Sequence, residues 1–314
     1  MGFVKKNTKL KVNKKKERFS VYLDQEEGPA ALLETLEEKS IKERKKRSEE
    51  LVQYHWDYYS YFVSQRNKII PLLKEALIKN SENTFAFDNW NRCFTFKYAM
   101  NPLSARGSIN SIGGRFNIGM DLNDTLNYFP ALYIAKEQTT ALLEKKAILI
   151  DQGGNPDDML KKALSGGSFG MVSVSGVLEK CLNLKDIRVL SDFLNLIKGT
   201  KLSNELVERA KELGLPKPKA VNTLIQLQKS IFYPKWRTMS VLSDYPANSQ
   251  IIGHIAASAG ITGILYPSTK DGSDCLAIFP KNFKDTDSFV EISDEYPESI
   301  EYHRMESSNF HNFY

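Results

Sequence analysis

Apolar positions recur at helical spacing through the first eighty residues, and then the pattern changes. Ala30, Leu32, Leu33, Leu36 and Ile41 predict a helix over residues 29–53 amid dense charge. Leu51, Tyr54, Tyr58, Phe62, Ile69, Leu72, Leu73 and Leu77 continue a helical pattern from Glu49 to Lys79, which Pro71 is expected to break or restart. The charged run IKERKKRSEE between the two reads as a solvated helix face or a linker. The aromatic cluster from Tyr54 to Phe62 has helical spacing, which marks a packing face rather than a base-stacking surface.

A polar NSENT stretch near residue 80 marks a boundary. Beyond it, FAFDNWNRCFTFKYAM suits one or two strands and Ala131–Ala135 is an apolar run of strand length. A helical stretch beginning at Thr139 and Thr140 carries Glu144. Gly153-Gly154-Asn155-Pro156 is a turn, residues 156–165 look helical, and FGMVSVSGVLEKCLNL reads as a strand. Helical spacing returns over residues 190–230, broken at LGLPKPKA. Residues 250–260 predict a helix capped by Gly260, ITGILYPS a strand ending at Ser268, TKDGSD a tight turn, and CLAIFP a strand closed by Pro280. Residues 286–314, acidic and then polar, read as a loosely packed tail. No internal repeat is visible.

Charge changes this picture at one end. The chain of 314 residues has a formal net charge of +5, but residues 1–20 hold eight Lys or Arg against Glu17 alone. That arm accounts for +7 and leaves the body at −2, so nucleic-acid binding by the body is not supported. The arm reads as disordered and solubilising; nucleic-acid binding through it would be salt-sensitive and lost on its removal. Cys93, Cys181 and Cys275 are odd in number and far apart, which argues against a disulfide framework. No CxxC or HxxxH spacing suggests a metal site. No apolar run approaches the ~20 residues of a membrane span, and the basic start lacks a signal-peptide core. A soluble cytoplasmic protein is expected.

Candidate chemistry concentrates between Arg106 and Glu144, in RGSINSIGGRFNIG followed by FPALYIAKEQTTALLE. Gly113-Gly114 put a permissive backbone before Arg115, Phe116 and Asn117, where a ligand could approach the main chain. An arginine fork matches phosphate bidentately, which makes Arg115 and Arg106 candidate anion binders. Either could equally be a structural salt bridge. Glu144 has Thr140, Ala141, Ala147 and Ile148 on its own helical face, so it is expected to pack inward, where a carboxylate must be paired or functional. Tyr133 could stack on a ring or belong to the core. Ser268, without a GxSxG elbow, could bond a phosphate or ribose or simply close a turn. No GxGxxG, P-loop or kinase motif is present.

GGRFN, LYIA, TALLE and, far downstream, GILYPS with CLAIFP together resemble the RES domain, over about residues 87–285. The resemblance implies an α+β fold, an ADP-ribosyltransferase-like split β-sandwich with flanking helices. Here it would follow a basic arm (1–20) and an N-terminal helical region (21–86), carry a helical insertion at about 190–230, and precede the acidic tail (286–314). It implies an NAD-consuming glycohydrolase or phosphorylase, the toxin of a toxin–antitoxin pair with an Xre-like helix-turn-helix partner; from the spacing above, no metal is expected. By the same resemblance Arg115, Tyr133 and Glu144 are catalytic, and Arg106, Arg115, Asn117, Tyr133 and Ser268 bind NAD. The added N-terminal helices could replace that partner, bind another, or form a homodimer. The rival readings are a protein ADP-ribosyltransferase of the same fold and a non-catalytic binding module.

Overall fold

The structure is a computed structural model that describes residues 38–122, 126–145 and 169–314. In chain order it contains α1 (Glu38–Asn67), α2 (Ile70–Lys79), β1 (Glu82–Thr95), β2 (Leu132–Ala135), α3 (Gln138–Glu144), β3 (Phe169–Asn183), α4 (Ser191–Ile197), α5 (Asn204–Glu212), α6 (Leu224–Ile231), α7 (Trp236–Ser243), α8 (Asn248–Ser258), β4 (Gly263–Pro267), β5 (Asp274–Ile278), β6 (Phe289–Ile292) and β7 (Arg304–Met305). The basic arm, the start of the first predicted helix, the turn at 153–156 and the helix at 156–165 lie outside the described residues. The chain divides into two compact units, one holding residues 38–68 with 200–220 and the other 69–199 with 221–314.

In the first unit IKERKKRSEE does not interrupt α1, because Lys, Arg and Glu are strong helix formers that keep their charges in water. Leu51 and Tyr54 pack with Leu206, Ala210 and Leu213. The Tyr58 and Tyr61 hydroxyls donate to the backbone carbonyls of Lys219 and Lys201. The aromatic stripe is thus a packing face.

In the second unit Pro71 stands at the start of α2, where its missing N–H breaks no helical bond. Seven strands form one sheet in the order β1-β2-β5-β4-β3-β6-β7, and β1 also pairs with β3. The additional pairing closes β1, β2, β5, β4 and β3 into a hydrogen-bonded ring, with β6 and β7 extending it. Every pairing is antiparallel except β3 with β4.

Both faces of the sheet are covered. In β5, Cys275 and Ala277 join one core cluster while Leu276 and Ile278 join another. Ile264 and Tyr266 of β4 go with the first, Leu265 with the second. Two-sided burial is why GILYP and CLAI read as continuous apolar runs rather than alternating ones. Helix α8 supplies Ile252, Ile255 and Ala256 to the first cluster.

The C-terminal stretch departs from expectation. Residues 286–314 are not a loose tail: Val290, Met305 and Phe313 are fully buried, and β6 pairs with β3 from Val174↔Ile292 to Val177↔Phe289. The acids there alternate with or flank a few apolar anchors, and those anchors fill the second core cluster.

Candidate active site

The loop from Asn110 to Gly119 is fixed by its own atoms. Gly113 has φ +88°, and a Cβ there would fall 2.5 Å from the Asn117 carbonyl oxygen. A Cβ on Gly114 would fall 2.5 Å from the Tyr133 hydroxyl. Both positions therefore require glycine, because the protein's own atoms approach them this closely. Asn117 is the hub. Its Oδ1 accepts from Gly114 N–H (2.9 Å) and the Tyr133 hydroxyl (2.8 Å), while its Nδ2 donates to the Ser108 and Phe129 carbonyls. From α8, the buried Gln250 side-chain amide donates to the Ile112 (2.7 Å), Asn117 (3.0 Å) and Gly114 (3.1 Å) carbonyls.

This scaffold presents Arg115. Its guanidinium is buried, donates from Nη2 to Thr269 Oγ1 (2.8 Å) and from Nη1 to the Ile231 and Tyr233 carbonyls, and lies 5.7 Å from the Trp236 ring centroid. Burial lowers its pKa, and the nearby Tyr266 and Glu144 oppose that shift. Among the described residues it forms no ion pair.

Glu144 is the last residue of α3 and is half-buried. The part of its helical face formed by Ala147 and Ile148 lies outside the described residues. Its Oε1 accepts a hydrogen bond of 2.7 Å from the hydroxyl of the buried Ser268. One turn earlier on the same helix, Thr140 Oγ1 donates to Asp271 Oδ2 at 2.6 Å. Residues four apart share a helical face, so α3 is stapled twice to a single turn. That turn is closed by Ser268 N–H to the Ser273 carbonyl (2.7 Å) and by Gly272 at φ +80°. Its Thr269 is also the residue that receives Arg115. The turn between β4 and β5 thus holds Glu144 through Ser268, Arg115 through Thr269 and Thr140 through Asp271.

Tyr133 contributes its ring. Its hydroxyl is committed, donating to Asn117 and accepting from Phe116 N–H at 2.9 Å, and burial pushes its pKa up.

Arg115, Tyr133 and Glu144 line one cavity of about 530 Å³. Among the described residues its wall holds five cations, Arg92, Arg115, Lys145, Arg237 and Lys270, against the single carboxylate of Glu144. Phe94, Tyr98, Tyr133, Trp236 and Tyr266 supply aromatic surface. Arg106 is exposed and does not line the cavity. Asn117 is fully buried and saturated. Ser268 reaches the cavity only through Glu144.

Sequence reasoning missed Arg92, Trp236, Arg237, Thr269 and Asp271. Arg92 is buried, with Nε and Nη2 each 2.6 Å from the Pro102 and Ser104 carbonyls and Nη1 3.0 Å from that of Tyr133. Burial lowers its pKa to about 10. One signal was present: Arg92 shares strand parity with Trp90 and Phe94, which is unusual for an exposed arginine.

Residues 190–301 match the RES domain. The RES match takes in Trp236, Arg237, Gln250, Ser268, Thr269 and Asp271, whereas Arg115, Tyr133 and Glu144 precede it. The chain is also similar to one in the crystal structure of the M. tuberculosis MbcT-MbcA toxin-antitoxin complex, at 13% identity, covering 77% of this chain and 96% of that one with a TM-score of 0.39. No curated protein matches the chain. Among the described residues no helix is long and apolar enough to cross a membrane, and no group of three or more His, Cys, Asp or Glu is placed to hold a metal ion.

Proposed function

We propose that the cavity binds NAD and cleaves its nicotinamide–ribose bond, with water or phosphate as acceptor, on an ADP-ribosyltransferase-like fold. The observation that carries this reading is the composition of the wall: five cations and several aromatic rings around one anchored carboxylate. Such a wall suits a ligand with a diphosphate, two flat rings and a centre that turns cationic. A volume of about 530 Å³ is within the roughly 300–1,000 Å³ of small-molecule sites.

In this reading Arg115 holds the diphosphate and the Tyr133 ring stacks on a base. The C–N bond to nicotinamide breaks with its electron pair leaving on the ring nitrogen, and positive charge develops at the ribose carbon. Glu144 stabilises that charge and bonds a ribose hydroxyl, as carboxylates do in glycoside hydrolysis. The acceptor oxygen then attacks the same carbon and loses its proton. Ser268 acts on Glu144 rather than on the ligand, since its hydroxyl already donates there.

Within this proposal the protein is the toxin of a toxin–antitoxin pair acting in the cytoplasm, with an Xre-like helix-turn-helix protein as its antitoxin. Incubation of the protein with NAD, followed by chromatography, tests the reaction. Nicotinamide with free ADP-ribose or its 1″-phosphate supports the proposal. Label retained on protein makes it an ADP-ribosyltransferase, and intact NAD refutes both.

A further inference from the structure

Two guanidiniums lie against one indole at the cavity wall. Arg115 is 5.7 Å and Arg237 4.6 Å from the Trp236 ring centroid, and all three residues line the cavity. Trp236 is buried, 8% exposed, so the platform is fixed rather than a surface ring. Like charges gathered at one ring repel, and the electron-rich face offsets only part of that cost. A carboxylate would complete the offset, yet among the described residues neither arginine has an ion-pair partner. Arg115 commits three N–H groups to Thr269, Ile231 and Tyr233. Arg237 makes no hydrogen bond among the described residues, which leaves its whole fork of donors open at the wall.

We propose that Arg237, held on Trp236 beside Arg115, is the second anion-binding arginine of the cavity, and that the two arginines take a diphosphate group between them. The inference rests on the NAD reading for the identity of the substrate and assigns a diphosphate-specific role within it. It replaces Arg106, which stands outside the cavity. The planar fork of arginine pairs with phosphate oxygens two at a time, and a diphosphate offers enough oxygens for both forks. Trp236 is a positioning residue that holds the forks in place. Partial desolvation and the adjacent Arg115 lower the pKa of Arg237, with Tyr133 and Glu144 opposing the shift.

The test is calorimetric titration of the full chain and of Arg237→Gln with inorganic pyrophosphate, ADP-ribose and nicotinamide riboside. Arg237 is exposed, so the variant is expected to fold, and an unchanged melting temperature checks it. The expected result is that pyrophosphate and ADP-ribose bind the wild type and bind Arg237→Gln at least about tenfold more weakly. Nicotinamide riboside, which lacks the diphosphate, is expected to be indifferent to the variant. Arg237→Lys, which keeps the charge without the fork, is expected to recover only part of the loss. Equal diphosphate affinity in wild type and Arg237→Gln overturns the assignment, as does failure of the wild type to bind either diphosphate. Diphosphate binding that depends on Arg237 without nicotinamide release keeps the assignment and removes the NAD reading. Nicotinamide release with a KM for NAD unchanged in Arg237→Gln does the reverse.

Discussion

The Ser268 hydroxyl donates a 2.7 Å hydrogen bond to Glu144 Oε1. It anchors one carboxylate oxygen of a residue that lines the cavity. A hydrogen bond to a charged group contributes about 1.5–3 kcal/mol, so Ser268→Ala is expected to lower kcat for NAD cleavage by roughly 10- to 150-fold. KM should change little, because Ser268 does not line the cavity. A kcat equal to wild type would reduce Ser268 to a turn serine.

Gln250 holds the glycine loop from α8. Gln250→Leu keeps the bulk and removes the donor shared by the Ile112, Gly114 and Asn117 carbonyls. Leaving buried carbonyls unpaired costs about 1–3 kcal/mol, and the loop that presents Arg115 should loosen. A lower melting temperature with a raised KM is the expected outcome. A lower melting temperature with unchanged KM would detach the loop from ligand binding.

Gly253 of α8 packs directly on the backbone of Phe116, and a Cβ there would fall 2.0 Å from the Phe116 carbonyl oxygen. Gly253→Ala must push the helix off the loop, and overpacking of this kind costs about 1–3 kcal/mol. Thermal melting is expected to show a loss of several degrees. Gly199→Ala, where a Cβ meets nothing within 4 Å, serves as the control.

Burial pushes the Cys181 thiol up to about 12. Below the ordinary thiol range both folded and unfolded chains keep the proton, and the contribution to stability is fully present. Above it the unfolded chain loses the proton while the folded chain still binds one, so stability falls with rising pH. The slope is about 1.4 kcal/mol per pH unit for one thiol between pH 9 and 12. Denaturant melts of Cys181→Ala are expected to show a shallower fall over that window. An identical slope would mean that the thiol titrates normally in the folded protein.

Much of the fold was legible where burial is two-sided. LYIA, GILYP and CLAI are continuous apolar runs because each strand feeds both core clusters. The C-terminal strands were not legible, since Val290, Ile292, Met305 and Phe313 are isolated anchors among acids. At the site, the glycine pair marked Arg115; Gly113 and Gly114 admit Asn117 and Tyr133 and also line the cavity. Arg106 was chosen for its nearness to that pair in sequence, and the chain turns it outward. Arg92 and Arg237 join the cavity through strand pairing and through Trp236, and no local glycine or turn announces contacts made at such separation. The same holds for Asp271, whose partner Thr140 lies 131 residues away.

In the proposed reaction Glu144 stabilises charge at the ribose carbon of NAD. Nicotinamide release by wild type and by Glu144→Gln, measured at saturating NAD, tests it most directly. Glutamine keeps the size and can still accept from Ser268 but cannot offset a positive charge. Rapid release by wild type is expected, with a rate lowered by about 100- to 1,000-fold in the variant and ADP-ribose still bound. Release at the wild-type rate by Glu144→Gln would contradict it.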